Sequence, residues 1–289
     1  MTKPYLDPPR IRRYAKRFGD ALYYDARKLW QYHGRGDDVG TSVWQYAHCL
    51  KRDGMVVIPK YFPRDRCLEL AARIERIVPP VPPRTQPVGE RQPYTTSEYS
   101  RNAHLPSGAV VEWRQYDMEE DVNDKGVICI YHITREFPEL ESLRHDPFVS
   151  GIVRSACNEA LPSRAFKGYI NDSVTGTRGY HVDNPGWLEF KAFLFLTDVN
   201  ELADGAHSYV RQTHLFSVLK YTNYLRNFLD PKGKGSDMKV IPKRLMTNVL
   251  CPAGTLLIAD VNGFHCGLPQ GAGRKRVVLV NCFDHSKYT

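Results

Sequence analysis

The chain predicts a mainly β protein with flanking helices, arranged as one large β domain or two small ones within 289 residues. Short runs rich in β-branched and aromatic residues, bounded by Gly, Pro, Asn or Asp, recur from residue 50 onward. Apolar stripes at helical spacing are confined to residues 10–30, 64–78 and 215–229. No internal repeat is evident.

Each element has its own signature. Residues 10–30 carry Ile11, Tyr14, Ala15, Phe18, Ala21, Leu22 and Leu29 at helical spacing, with Arg12, Arg13, Lys16 and Arg17 opposite or flanking. A basic amphipathic helix of this kind is expected to pack on its own domain, and Asp20 and Asp25 weaken a membrane-surface role. Arg35-Gly36-Asp37 reads as a loop. Residues 1–49 are thus expected to be a helical extension packed on a main domain of residues 50–289. Leu50 to Ile58 opens that domain with a strand. Cys67, Leu70, Ala71, Ile74 and Ile77 then trace a helix covering the sheet, which must stop at Pro79-Pro80. The prolines from Pro79 to Pro93 cannot join a sheet interior. Residues 79–106 are expected to form a mobile cover, with a partner-binding polyproline segment and a passive connector as alternatives.

Ala165 to Ile170 has strand character, and Asn171 to Gly176 reads as a turn into Tyr180-His181-Val182-Asp183. Phe193 to Asp198 is another strand, and Leu215 to Leu229 a helix. Asp230 to Asp237 reads as a solvated loop whose Lys232-Gly233-Lys234-Gly235 run lacks the strand-loop-helix setting of a phosphate cradle, so residues 214–238 make a helix-and-loop insertion. Cys251 to Asp260 is a turn and a buried strand leading to His265, and Arg276 to Asn281 a further strand.

The chemistry concentrates in these last segments. His181 and Asp183 stand two residues apart, and His265 follows in Asp260-Val-Asn-Gly-Phe-His265-Cys-Gly267. Two imidazoles and one carboxylate are the facial donor set of non-haem iron(II) oxygenases. The short motif alone is weak: with 10 His and 32 Asp plus Glu, about one His-x-Asp/Glu is expected by chance. Context strengthens it. Residues two apart on a strand share a face, so His181 and Asp183 can present a nitrogen and an oxygen to one metal. An open barrel or sandwich can bring His265 to them from a distant strand and leave other coordination positions free.

Arg274 and Arg276 share parity with Val278 and Val280, while Lys275 points the other way. A guanidinium in a dry pocket needs an anion, and its fork matches a carboxylate such as the distal one of 2-oxoglutarate. The alternative puts both arginines on a solvated turn after Gly271-Ala-Gly273. Tyr169 and Asn171 precede the ligand pair and can bond the same cosubstrate or neighbouring backbone. Arg178, Asn184 and Trp187 flank the pair as substrate contacts, or as a capped turn with a packed indole. His207 and His214 lack a carboxylate at the right offset and read as structural hydrogen-bonding residues. Cys266 points away from the face of His265 and reads as core.

Composition sets limits. Apolar content of 42% and charged content of 25% fit a soluble globular protein, and no apolar run approaches membrane-crossing length. Seven cysteines without Cys-x-x-Cys spacing fit a reduced, cytoplasmic setting. The net charge of +8 suits an anionic substrate, a nucleic acid, an acidic surface or simple solubility, and the Lys and Arg residues are spread along the chain.

Together these residues resemble the phytanoyl-CoA dioxygenase-like branch of the iron(II)/2-oxoglutarate-dependent oxygenases. Leu50 to Ile58 with Tyr61-Phe-Pro and a helix is similar to that family's opening, and Phe193 to Asp198 followed by Asp204 to His214 is similar to its central strand and "Asn-Gly…Gly-Ser-His" segment. The resemblance implies a double-stranded β-helix (jelly-roll, cupin-like) core from about residue 50 onward. It implies iron(II) held by His181, Asp183 and His265, 2-oxoglutarate anchored by Arg276 in preference to Arg274, and O2 as cosubstrate. Asp204 and Gln212-Thr213 depart from the family's Asn and Gly-Ser. Related halogenases replace the carboxylate ligand by a small residue, so Asp183 implies hydroxylation or a related oxidation instead. The expected substrate is a small organic molecule, as in natural-product biosynthesis, with release of succinate and CO2. Alternatives are an acyl-CoA hydroxylase, a nucleic-acid oxidative demethylase, suggested by the Asn171…Gly176…His181 spacing but without a basic-aromatic patch, and a metal-free binding protein of the same fold. No residue pattern fixes an oligomeric state.

Overall fold

The computed structural model describes residues 8–33, 41–91, 93, 95–119, 123–183, 188–229 and 237–285. Helices α1 (Pro8–His33) and α2 (Thr41–Asp53) lead into strand β1 (Met55–Ile58) and helix α3 (Arg64–Arg76). Three short strands follow, β2 (Arg101–His104), β3 (Val110–Trp113) and β4 (Val127–Tyr131), then helices α4 (Ile133–Glu136), α5 (Glu141–Arg144) and α6 (Pro147–Cys157). The rest is β5 (Ser163–Asp172), β6 (Glu189–Phe195), β7 (His207–Val210), α7 (Val218–Leu229), β8 (Met246–Val249), β9 (Leu256–Asp260), β10 (His265–Gly267) and β11 (Lys275–Asp284).

The strands build two antiparallel sheets, a large one in the order β1-β9-β6-β11-β5-β4-β3-β2 and a small one in the order β10-β7-β8. The chain steps between them: β6 to β7, then β8, β9, β10 and β11 alternate sheets, which is the winding of a double-stranded β-helix, or jelly roll. Facing sheets bury one side of each strand against the other sheet, so functional side chains can converge from both walls.

The large sheet buries its outer face under helices. Along β5, Phe166, Gly168 and Ile170 point outward into the helix-covered core, while Ala165, Lys167, Tyr169 and Asn171 alternate inward. Leu70, Ala71 and Ile74 of α3 and Val149, Ile152 and Val153 of α6 pack on that outer face. Asp146 caps α6 by accepting from Phe148 N at 2.7 Å, and Pro147 takes the first helical position. Gly168 gives Ile133 room, since a Cβ there would stand 2.6 Å from its Cδ1 and that side chain would have to shift. Between the sheets lies a second apolar cluster that includes Val278, Val280, Leu257 and Tyr209.

Some boundaries differ from the sequence expectation. Helix α2 runs through residues 49 and 50, so the limit drawn there falls inside a helix and only Met55–Ile58 is strand. Helix α1 is tied to the main body by two buried ion pairs, Lys28 to Asp260 at 2.9 Å and Asp25 to Lys220 at 2.9 Å. His181 and Asp183 do not sit in a strand. His181 makes an isolated antiparallel bridge with His265, and Asp183 N donates to Val261 O at 3.1 Å, so the segment is extended by docking on the 261–265 stretch. The described part of the proline-rich segment is irregular and is fastened by Arg84, which bonds Asp117 and Gln86 O. Asn184, Trp187, Arg35-Gly36-Asp37 and the Lys232–Gly235 run lie outside the described residues. Among the described residues no helix is long and apolar enough to cross a membrane.

Candidate active site

The metal-ligand candidates meet. One donor atom from each of His181, Asp183 and His265 lies within 4.8 Å of the others. His181 Nε2 is 3.2 Å from Asp183 Oδ1, and His265 Nε2 is 3.5 Å from Asp183 Oδ2. The backbone bridge between His181 and His265 sets the two imidazoles 4.5 Å apart, centroid to centroid. Each ring is oriented from behind: His181 Nδ1 donates to Gly179 O at 2.8 Å and His265 Nδ1 to Gly263 O at 2.9 Å. Because a carbonyl can only accept, both Nδ1 atoms carry the proton and both Nε2 lone pairs face the carboxylate. Burial holds the His181 imidazole below its ordinary pKa, keeping it neutral. Burial pushes the Asp183 carboxyl up, but Lys191 and His265 outweigh that and hold it well below the usual carboxylate range. Two imidazole nitrogens and an ionised carboxylate oxygen are a donor set that fits a divalent iron-type ion.

Lys191 was not signalled by any sequence motif. It extends from β6 to Asp183 Oδ2 at 2.5 Å and to Glu189 at 3.3 Å. Only its parity with Phe193 and Phe195 on an inward-facing strand could have pointed to it.

Arg276 is 9% exposed, on the inner face of β11 beside Asn171 of β5. One Nη bonds Gly205 O, its Nε has no hydrogen-bond partner, and among the described residues no carboxylate reaches it. Burial lowers its pKa to about 10. A buried guanidinium without an anion is a costly arrangement that an incoming carboxylate would relieve. Arg274 does not reach this place. It precedes β11, is 49% exposed, and is held by Glu201 and by Asp204 at 3.1 Å, so the carboxylates of the 201–204 turn draw it outward. Tyr169 and Asn171 line the same cavity as Arg276, with Arg114 5.3 Å over the Tyr169 ring. Arg178 also lines it, paired with Asp237 at 3.0 Å.

His214 is buried and Nε2 donates to Lys51 O at 3.0 Å, away from the cluster. His207 stacks 5.8 Å from His265, but its Nε2 has no hydrogen-bond partner, which departs from the structural bond expected of it. Cys266 is buried in packing.

The ligand cluster, Lys191, Arg276, Tyr169, Asn171 and His207 open on one cavity of about 1310 Å³ between the sheets. Ligand pockets commonly measure about 300–1,000 Å³, so there is room for a keto acid and a second molecule together. Of the described residues within 79–106, only His104 lines it, and none of the described residues of the proline-rich run 79–93 does.

The fold is a jelly roll whose cavity brings together two imidazoles and a carboxylate that could hold a metal ion. No protein-family model matches the chain, and no curated protein matches it either. Solved structures do share its fold. EvdO2 from Micromonospora carbonacea var. aurantiaca is similar at TM-score 0.56 and 13% identity, over 87% of this chain and 93% of that one. The non-haem α-ketoglutarate-dependent epimerase SnoN of nogalamycin biosynthesis is similar at TM-score 0.55 and 12% identity, over 84% of this chain and 83% of that one. Its complex with Fe3+, α-ketoglutarate and nogalamycin RO gives TM-score 0.53. HygX from Streptomyces hygroscopicus, solved without ligand and with iron bound, is similar at TM-score 0.52 and 14% identity, over 85% of this chain and 87% of that one. At such identities the likeness establishes a common fold.

Proposed function

We propose that the chain is an iron(II)- and 2-oxoglutarate-dependent oxygenase that oxidises a C–H bond of a small organic molecule in natural-product biosynthesis. The observation that carries this reading is the presence, in one cavity, of a donor set of two histidines and one carboxylate and a buried arginine that meets no carboxylate among the described residues. His181 Nε2, His265 Nε2 and a carboxylate oxygen of Asp183 would hold the metal. Arg276 would receive the distal carboxylate of 2-oxoglutarate, with Asn171 and Tyr169 beside it. When bound, the two supply the oxidising power, O2 being divided between 2-oxoglutarate, which leaves as succinate and CO2, and the substrate.

The chain's own residues position and enclose. Gly179 and Gly263 carbonyls fix the imidazole tautomers, and Lys191 restrains one oxygen of Asp183. Phe193, Phe195, Val278 and Val280 make an apolar floor that keeps water from the reacting centre. Asp183 occupies the position that a halide would need, which favours hydroxylation or a related oxidation. Arg178 stands at the cavity edge as a substrate contact, and Asn184 and Trp187 are proposed alongside it from the sequence alone. The fold shared with SnoN, an α-ketoglutarate-dependent epimerase solved with Fe3+ and α-ketoglutarate, supports the reading.

The test is anaerobic titration with iron(II) and then 2-oxoglutarate, followed by succinate formation on admitting oxygen. The protein should bind one iron and form succinate, and His181→Ala should lose both. Succinate formation at the parent rate in His181→Ala would refute the assignment.

A further inference from the structure

The cavity has a second cationic pole that the metal and keto acid leave unused. On the inner face of β5, Asn171 lies beside Arg276, and Lys167 lies four residues away, about 13 Å along the strand. Across the sheet, Lys167 pairs with Val280 and Val280 with Phe193, so Lys167 sits two strand spacings, about 10 Å, from the floor beneath the ligand cluster. Phe193 is under that cluster, since its ring contacts His207 at 5.0 Å and His207 stacks on His265.

Lys167 is half-buried, and among the described residues no carboxylate reaches its ammonium, which rests 4.9 Å over the ring of Tyr131. Two more cations share this wall. Arg135 donates to Gly108 O at 3.1 Å and has no carboxylate partner among the described residues, and Arg144 holds Ser163 with Glu141 at 3.5 Å. Arg135 is delivered by a sharp turn after β4, where His132 adopts φ 54 and α4 begins. Arg135, Arg144 and Lys167 all line the cavity together with Tyr131 and Phe166. On the metal side, by contrast, Asp183 and Glu189 are matched by Lys191.

The geometry points to an anionic substrate: a small molecule whose carboxylate or phosphate is received by Lys167, Arg135 and Arg144, while its oxidised carbon lies over Phe193. This rests on the oxygenase reading for the second half only. The tyrosines between the poles, Tyr131 and Tyr169, offer flat apolar surface for the body of the molecule. Lys167 and Arg144 are partly desolvated and face the cavity, so they gain most from an anion that brings its own negative charge, while the exposed Arg135 adds a weaker, solvent-screened attraction.

The experiment uses the iron(II)- and 2-oxoglutarate-loaded protein without oxygen, so that Arg276 is already engaged. Inorganic phosphate and benzoate are titrated separately, and nuclear relaxation of the probe by the paramagnetic iron is read. At least one probe should show saturable relaxation, weakened about tenfold in Lys167→Glu and less in the exposed Arg135→Gln. Preference for phosphate identifies a phosphate ester, and preference for benzoate a carboxylate. Absence of saturation by either probe, or equal binding in Lys167→Glu, overturns the inference. If iron or 2-oxoglutarate fails to bind, the oxygenase reading fails by itself. The same titration of the metal-free protein, read by protein chemical shifts, then still decides for or against the cationic pole.

Discussion

Asp183 shows how one residue's chemistry depends on its neighbours. Its two oxygens are divided between His181 on one side and His265 and Lys191 on the other. Lys191 therefore limits how the carboxylate can turn. Lys191→Met should keep the fold and lower iron affinity about 10–100-fold, as loss of an outer-shell partner does, in an anaerobic iron titration with circular dichroism as the fold control. His214 governs a different property. Burial, opposed by Asp260, lowers its pKa from the ordinary 6.5 to about 4, so the folded state keeps it neutral where the unfolded chain takes up a proton. Between those values the unfolded chain binds more protons, and stability must rise with pH. Its contribution is present above pH 6.5 and is lost as pH falls toward 4, an effect of up to about 3 kcal/mol. Urea denaturation at pH 7 and pH 5 should show this loss, and His214→Gln should flatten it.

At the scale of elements, the loop between β9 and β10 is the piece that sets His265 in place. Tyr209 donates to Asp260 O at 2.8 Å, and a side chain at Gly263 would run into that hydroxyl, so the loop closes only with glycine there. Helix α1 reaches the same loop: Lys28 Nζ bonds Asp260 at 2.9 Å and Asn262 at 2.8 Å. Lys28→Ala would leave a buried carboxylate without its counter-ion and should cost about 3–5 kcal/mol, read as a lowered urea midpoint. Iron affinity should fall with it, because Asp260 opens the turn that delivers His265. The N-terminal helix thus supports the site from behind, and none of its described residues lines the cavity.

For the whole molecule, the two facing sheets explain why a ligand set scattered over more than eighty residues becomes one site. They also predict linkage: a ligand that binds only the folded state stabilises it, so iron with 2-oxoglutarate at about 100 times Kd should add about 2.7 kcal/mol. The thermal midpoint should rise on loading, fall back on chelation, and stay unmoved in His181→Ala. Cations dispersed in sequence come together at this scale, since Lys167, Arg135, Arg144, Arg178 and Arg276 all line one cavity, together with the carboxylates of Asp124, Glu141, Asp183, Glu189 and Asp284.

What the amino-acid order alone determined is what short-range periodicity and residue chemistry encode. The period-two runs at β5, β6, β9 and β11 marked the sheet, the stripe of α3 marked its covering, and His181, Asp183 and His265 stood out because imidazole and carboxylate donors are chemically distinctive. Strands β2 to β4 were too short and α6 too plain to stand out. The tertiary structure decided everything that depends on pairing across distance. Parity left Arg274 and Arg276 equal, and only the strand limit at Lys275 with the carboxylates of the 201–204 turn sent one outward and left the other buried. Lys191, Lys28 and Lys167 carry no local signal, because a lysine's role is set by the charge it meets, and Asp183 is eight residues from Lys191, Asp260 is 232 from Lys28, and Tyr131 lies on another strand from Lys167.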